Sequence, residues 1–584
     1  LFVKLKRHPQ VTSTADSISR KNLSVALKAL IIVAAGACVL SPTLQGSWYG
    51  DDTLYLIGNP LLQDPDRLWK AWFDPGSFVE YYPLEQTVQW YQWKLWGLNS
   101  AFGYLLSNLI LHLTSALLLW HLFSKLGLKL AWLGGLIFAI HPLMVDSVGV
   151  SSELKNTLSL PPFLLAMCFY LDFEKSGKNR DYLVSLLMFL VAMLCKITMC
   201  FFPFVILLYA WWKRDRITWK DWKAALPFFV ISLALGLTTL HAGAVRAEMT
   251  HYQSPGPIQL GGMADRVALS GLTLAFYFGR AFFPLHPMPY YPLWPIEPLT
   301  PWLFLPWLGI ALVIGCCWMR RLEWGRPALF ALAFFALGLG PFLGFNQASY
   351  MCLGWAYDHF LYLPIIALIG LVVAGLEQGG RQLPGKFRVY GLALLTLALG
   401  LLGLQTFAYA KLFEQQDLLW RYNLQYNPNA WLVRFYLAGQ LAQQNDMEEA
   451  IAQVKECIRI NPQFSNAYMT LGIYLAKVGN YPEAIDAFKQ SIRVNPSYDT
   501  ARLYLATALW QTNHPAEAIE QFRILLRAEP NMLQAHFGLS YALAEERRIP
   551  EAIAELQTAL KLAPDNGAIK KRLQELESLP AGGP

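Results

Sequence analysis

Charge is what this chain has least of. Only 15% of its 584 residues are Asp, Glu, Lys or Arg, against ~25% in an ordinary soluble domain, while 55% are hydrophobic. That balance excludes a wholly water-soluble chain. Cysteine is sparse too. Cys38, Cys168, Cys195, Cys200, Cys316 and Cys317 lie in or beside apolar stretches, Cys352 in a loop and Cys457 at a small-residue position. Their spacing fits neither a zinc site nor a disulfide framework, and Cys195 with Cys200 reads as packing thiols rather than a bridge. No glycine-rich phosphate cradle of the P-loop or Rossmann kind occurs, which argues against a soluble nucleotide sugar as ligand.

What is present is a series of long apolar runs. They fall at 24–44, 103–124, 130–148, 155–173, 182–198, 200–212, 224–244, 266–284, 301–319, 327–345, 359–376 and 388–410, and ~20 apolar residues suffice to cross hydrocarbon as a helix. The first run follows Lys4, Lys6, Arg7, Arg20 and Lys21 and lacks a small-residue cleavage site, so it reads as a retained span with a cytoplasmic N-terminus rather than a signal peptide. The clusters Lys125/Lys129, Lys175/Lys178/Arg180, Lys213/Arg214/Arg216/Lys220/Lys223, Arg320/Arg321/Arg326 and Arg381/Lys386/Arg388 all fall on the cytoplasmic side if 266–284 does not cross. Eleven spans are therefore expected, with 266–284 interfacial or re-entrant and the C-terminal tail opposite the N-terminus. The basic excess lies before the tail, at 30 Lys and Arg against 21 Asp and Glu; from 411 onward the numbers are 17 and 19. Basic residues in short loops set orientation, so no nucleic-acid partner is expected.

From 411 to 584 the chain repeats. Asn427-Pro428, Asn461-Pro462, Asn495-Pro496, Glu529-Pro530 and Ala563-Pro564 recur every 34 residues, with small residues at Ala438, Gly472, Ala506 and Ser540 and again at Ala450, Ala484, Ala518 and Ala552. That is the tetratricopeptide pattern: small residues let two helices of a hairpin approach, and proline separates one hairpin from the next. Four repeats and a solvating helix to about residue 579 predict an α-solenoid with a concave binding surface. The expected fold is all-α, a polytopic membrane helix bundle over 1–410 followed by this solenoid over 411–584.

Chemistry is expected in the first long loop, 45–103, too polar to cross the membrane and too aromatic for a passive linker. It opens Trp48-Tyr49-Gly50-Asp51-Asp52. A paired carboxylate beside Trp and Tyr at the lipid boundary also suits a plain solvated loop start. On the same outer side, however, stand His141, Asp146, Glu153, Lys155, Asn156 and Lys196. Ionisable groups near membrane depth are costly and tend to line a cavity or pathway.

Several stretches together resemble the transmembrane-and-tetratricopeptide protein O-mannosyltransferases and their bacterial relatives, of the GT-C glycosyltransferase class. They are Trp48 to Asn59, Leu95 to Tyr104 with Asn108 and His112, His141-Pro142 through Glu153 and Lys155, Cys195-Lys196, and Asp358 to Pro364. The resemblance implies transfer of a sugar from a polyprenyl-phosphate donor to a hydroxyl acceptor, with inversion, at the outer membrane face. By the same resemblance the expected acceptor is a protein Ser or Thr recruited or presented by the solenoid, with a glycan or lipid acceptor also open. Such a transfer needs a carboxylate to take the acceptor proton; the likeness makes Asp51 the base, with Asp52 orienting acceptor or sugar. Lys196 and Lys155 are candidates for the lipid phosphate, with His141, His359 and Arg280 as further donor contacts and Glu85, Asp146, Glu153 and Asn59 in support. Asn108 and His112 share one helix face and read as packing or interhelical hydrogen bonding.

Two positions depart from the family. Tyr82 stands where an Arg commonly precedes Pro-Leu, and His359 where an Arg precedes the Tyr-Leu-Pro run; Arg246, Arg266 or Arg280 could compensate. Asp51, Asp52, Glu85, Asp146 and Glu153 could supply oxygen ligands to Mg²⁺ or Mn²⁺, but no cofactor is expected. Short loops between spans and the lack of an endoplasmic-reticulum retention tail favour a bacterial inner membrane with the solenoid in the periplasm. The rival readings are a membrane-anchored scaffold, whose groove rather than whose acids would matter, and a lipid or sugar transporter, which should carry a matching acidic cluster on the cytoplasmic side.

Overall fold

Backbone polar groups in hydrocarbon must be satisfied within the chain, and each long apolar run meets that demand as a helix. The computed structural model describes residues 14–50, 66–77, 80–249, 261–345 and 349–578, with positions 52, 56–58, 62 and 64. Asp51 and Asn59 lie outside them. The protein is 81% helix, with no strand among the described residues, and divides into two compact units, residues 1–419 and 420–584.

The first unit contains α1 (Thr14–Leu40), α2 (Arg67–Phe73), α3 (Pro83–Trp96), α4 (Phe102–Leu126), α5 (Ala131–Ala139), α6 (Val145–Gly149), α7 (Leu154–Ser176), α8 (Asn179–Cys195), α9 (Phe202–Arg214), α10 (Trp219–Met249), α11 (Met263–Phe282), α12 (Leu305–Met319), α13 (Arg326–Leu339), α14 (Ile365–Gln382) and α15 (Gly385–Leu412). By length and composition, seven helical segments among the described residues can cross a membrane: Leu23–Gln45, Phe102–Leu126, Ile197–Arg214, Trp219–Gly243, Pro301–Met319, Arg321–Phe342 and Gly385–Leu412. An eighth is added if α5 and the bent segment Pro142–Gly149 act as one.

The other segments expected to span differ for local reasons. Run 130–148 breaks with a 57° bend at Ile140-His141-Pro142, where proline has no N–H to continue the ladder. Run 155–173 carries Pro161 and Pro162 inside α7, α8 has only 17 residues, and α14 starts at Ile365 rather than 359. Segment 266–284 forms α11, outside the spanning set.

Two packing devices position these helices. Small residues let α1, α4 and α5 touch closely: a Cβ added at Gly135 would stand 2.6 Å from the Ala116 carbonyl oxygen, and one at Gly36 would stand 2.6 Å from Leu113. Phenylalanines lock α7 to α10, with Phe202 ring centroids 5.4 Å from Phe163, 5.2 Å from Phe189 and 5.2 Å from Phe228. That cluster holds the start of α7, with Lys155, against the end of α8, after which comes Lys196. All eight cysteines are free.

After α16 (Gln416–Tyr426), the second unit is a run of helical hairpins: α17 (Trp431–Gln443) with α18 (Met447–Ile460), α19 (Ser465–Lys477) with α20 (Tyr481–Val494), α21 (Asp499–Gln511) with α22 (Pro515–Ala528) and α23 (Leu533–Glu545) with α24 (Ile549–Leu562), closed by α25 (Gly567–Glu577). Each expected small position is filled tightly; a Cβ at Gly472 would lie 2.6 Å from the buried Phe488 ring. Asp446 and Asn480 cap α18 and α20 through the backbone N–H of Glu449 and Glu483, satisfying donors that a helix start leaves unpaired. A cross-hairpin bond also recurs at the repeat spacing, Arg434 to Gln453 at 2.9 Å, Arg502 to Gln521 at 2.9 Å and His536 to Glu555 at 2.5 Å.

Candidate active site

The site is built around the short turns between α6 and α7. Asp52, fully buried, reaches them from the end of the first helix: its Oδ1 accepts from the backbone N–H of Ser152 at 2.6 Å, and its Oδ2 from those of Tyr49 at 2.9 Å and Ser151 at 3.4 Å. Burial pushes its carboxyl up to about 6, against the downward pull of these N–H groups. Asp52 thus ties the loop after α1 to the turn that presents Glu153, Lys155 and Asn156.

From that turn a chain of polar contacts runs across the neighbouring helix ends. Lys196 donates to the side-chain oxygen of Asn156, and Asn156 donates to Glu153. Lys155 pairs with Glu80 at 2.7 Å. His359 bonds Asp146 through Nδ1 at 2.7 Å and turns Nε2 toward Glu153 at 3.9 Å. Burial pulls His359 down, but the carboxylates of Glu153 and Asp146 outweigh it and hold the imidazole above its ordinary value, favouring the cation. Burial would raise Glu153; His359, Lys155 and Lys196 together hold it below the usual carboxylate range. Opposite charges packed out of water sustain one another in this way.

One end of the ribbon is Arg280, which donates to the Tyr291 hydroxyl and the Leu285 carbonyl. Tyr291 in turn donates to Asp358 at 2.8 Å, whose carboxyl burial pushes up to about 7. The other end is Glu85, raised by burial to about 8, which accepts from Gln86 at 2.9 Å and from Gln89. Gln86 accepts from the buried Arg67 at 2.7 Å.

Of the residues singled out from sequence, Asp146, Glu153, Lys155, Lys196 and His359 come together directly, with Asp52, Glu85 and Arg280 at the margins. His141 does not join them. Its Nδ1 accepts from Leu143 N–H at 3.3 Å and its Nε2 donates to the Ala281 carbonyl at 3.2 Å, so one ring nitrogen caps the bend at Pro142 and the other ties that bend to the end of α11. Of the compensating arginines, Arg266 binds the Phe345 and Gly261 carbonyls, away from the ribbon. Asn108 and His112 hold helices together: Asn108 donates to the Val150 carbonyl at 2.9 Å and accepts from Thr157 at 2.9 Å, and His112 meets the Tyr362 hydroxyl at 3.0 Å. Among the described residues no three His, Cys, Asp or Glu side chains converge as metal ligands.

Glu80, Arg67, Tyr291 and Asp358 are site residues that sequence reasoning passed over. Asp358 opens the Asp358 to Pro364 run and was within reach. Tyr291, Arg67 and Glu80 stand in no motif or spacing that marks them in the sequence.

Residues 83–241 match the profile of the dolichyl-phosphate-mannose-protein mannosyltransferase family; residues 438–464, 469–520 and 505–567 match tetratricopeptide-repeat profiles. No curated protein matches the chain. Similar solved structures include MamA from Desulfovibrio magneticus, at 20% identity over 25% of this chain and 83% of that one with a TM-score of 0.25. They also include YrrB, a tetratricopeptide protein with an unusual peptide-binding site, at 17% over 28% and 83% with a TM-score of 0.26. A third is a thermophilic tetratricopeptide protein of Thermus thermophilus, at 21% over 32% and 97% with a TM-score of 0.24. In this chain a segment similar to the dolichyl-phosphate-mannose-protein mannosyltransferase family precedes a C-terminal run of tetratricopeptide repeats.

Proposed function

We propose that the ribbon between Glu85 and Arg280 transfers a sugar, mannose in the first instance, from a polyprenyl-phosphate donor to a hydroxyl acceptor at the extracytoplasmic face of a bacterial inner membrane. The observation that carries this reading is the clustering of three basic side chains around the turn at Glu153: His359 at 3.9 Å from it, Lys196 linked to it through Asn156, and Lys155 two residues on and paired with Glu80, on elements that include the mannosyltransferase-matched segment. Three cations gathered at the ends of apolar helices suit a phosphate whose lipid stays in hydrocarbon.

In the reaction the acceptor oxygen attacks the anomeric carbon from the face opposite the phosphate, inverting it. The bond from that carbon to the phosphate oxygen breaks, and its electron pair leaves on polyprenyl phosphate, which gains a negative charge. Lys196 and Lys155 answer that charge; such placed cations act most strongly where water is excluded. In this reading His359 supplies the positive charge that the family's arginine would, and Arg280 braces Tyr291 and Asp358. Asp51 takes the proton of the acceptor hydroxyl. Asp52 is a positioning residue, its oxygens already given to backbone N–H groups, and His141 maintains the bend. The cations are side chains, so the reading calls for no metal. The solenoid presents a protein Ser or Thr segment along its concave face.

The phosphate assignment is tested by titrating purified protein with citronellyl phosphate. Lys196→Met is expected to weaken binding at least ten-fold, and Lys155→Met less, because Lys155 shares its charge with Glu80. Affinity unchanged in both variants would contradict the assignment and favour a scaffold role.

A further inference from the structure

Helix α3 is inside out. A helix at a protein surface ordinarily buries its apolar stripe, yet the buried face of α3 carries Glu85, Gln86, Gln89 and Gln92, while Tyr91 and Leu95 are 55% and 71% exposed. Exposed aromatic and aliphatic side chains suit a helix lying at the lipid boundary. They leave the inward polar face unexplained.

Gln92 is 4% exposed and Gln89 1%. Neither amide atom of Gln92 has a hydrogen-bond partner among the described residues, nor does Oε1 of Gln89. Buried amides are almost always paired, so two acceptors and one NH₂ group remain to be satisfied on one face. Positions 85, 89 and 92 follow the i, i+4, i+7 spacing of a single helix stripe, and at ~1.5 Å per residue they span ~10 Å. That is the reach of one or two pyranose rings. The stripe starts at Glu85, which lies within electrostatic reach of Lys155 and Glu153. Beyond Glu85 it carries amides alone. An anion gains little from it, whereas vicinal hydroxyls, each both donor and acceptor, pair with side-chain amides naturally.

We infer that Gln89 and Gln92, continuing from Glu85, form a subsite for a neutral polyhydroxylated ring. The inference rests on the transferase reading above. The ring belongs either to the donor's sugar or to a glycan already on the acceptor, and the two sources are separable by experiment.

The test uses the full chain in nanodiscs with three probes: citronellyl phosphate, citronellyl-phosphate mannose and free α-1,2-mannobiose. Gln92→Leu should leave citronellyl phosphate binding unchanged and should not lower the melting temperature, because it removes polar atoms that have no partner among the described residues, and Gln89→Glu, which can keep a hydrogen bond to the protonated Glu85, serves as the second variant. If the ring is the donor's, citronellyl-phosphate mannose loses ten-fold or more in affinity; if it is the acceptor's, mannobiose does. The side-chain NH₂ signal of Gln92 in ¹⁵N-glutamine-labelled wild type should shift with the same probe, which covers the case of a variant that does not fold. Variants that bind all three probes as wild type does, or a Gln92 signal that none of the sugars moves, would overturn the subsite while leaving the phosphate site standing. Wild type that fails to bind citronellyl phosphate would overturn the transferase reading instead.

Discussion

Glu85 keeps its proton to about pH 8 in the folded protein because burial disfavours its charge, whereas in the unfolded chain it ionises near its ordinary ~4.3. Between those values the folded state binds the extra proton, so this residue's contribution to stability falls as pH rises and levels off above about 8. Glu85→Gln removes the ionisation while keeping an amide that can hydrogen-bond. The variant should therefore gain on wild type steadily from pH 5 to 8, by on the order of a few kcal/mol at the upper end, when thermal unfolding is followed in detergent. A difference independent of pH would show that Glu85 is not held neutral. Asp52, also raised, adds a parallel slope over a lower range, which is why the comparison is between the variant and wild type at each pH.

At this scale the sequence marked the acids and lysines well and their partners poorly. Asp146, Glu153, Lys155 and Lys196 stood out because charge is scarce and costly in an apolar chain. Glu80, Tyr291 and Arg67 did not: their roles depend on tertiary neighbours 75, 67 and 19 residues away, and no local spacing encodes such a distance. His141 is ambiguous for the complementary reason, since a histidine beside proline looks the same in sequence whether it binds a ligand or caps a bend.

Among elements, the solenoid was the most legible, because a 34-residue period reports its own hairpins. The identity at position 472 follows from packing: a side chain there meets Phe488, itself nearly fully buried. Gly472→Val should cost ~1–3 kcal/mol by overpacking, seen as faster hydrogen exchange across residues 465–494 of the full chain with α1–α15 unaffected. Unchanged exchange there would mean that the hairpin has slack not apparent in its contacts. In the membrane unit, Gly135 faces backbone rather than a movable ring. Gly135→Leu should force α4 and α5 apart and lower the melting temperature by several degrees, where a movement of less than a degree would contradict close backbone contact. Helix ends were harder to read than helices. Run 359–376 looked continuous by hydropathy, but Asp358 to Leu361 form a separate turn that hands His359 to the site before α14 begins.

For the whole molecule, the number of crossings decides where the solenoid lies. An odd number of crossings, such as the eleven read from hydropathy or the seven candidate helices among the described residues, would put it opposite the N-terminus; eight would not. Single-cysteine variants on a cysteine-free background settle the parity. A cysteine at Ser497 should react with an impermeant maleimide added to intact spheroplasts, and one at Lys223 only after permeabilisation. Reaction at Lys223 and not at Ser497 would reverse the orientation and place the acidic loop in the cytoplasm, away from any donor presented outside.

The central claim is that the outer ribbon breaks a sugar–phosphate bond with Asp51 as base. It is tested most directly by giving purified protein polyprenyl-phosphate mannose and a Ser/Thr-rich peptide and counting transferred sugar. Wild type should transfer, and Asp51→Asn should slow transfer by ~10²–10⁴-fold while binding citronellyl phosphate as wild type does. Transfer by Asp51→Asn at the wild-type rate would contradict the account.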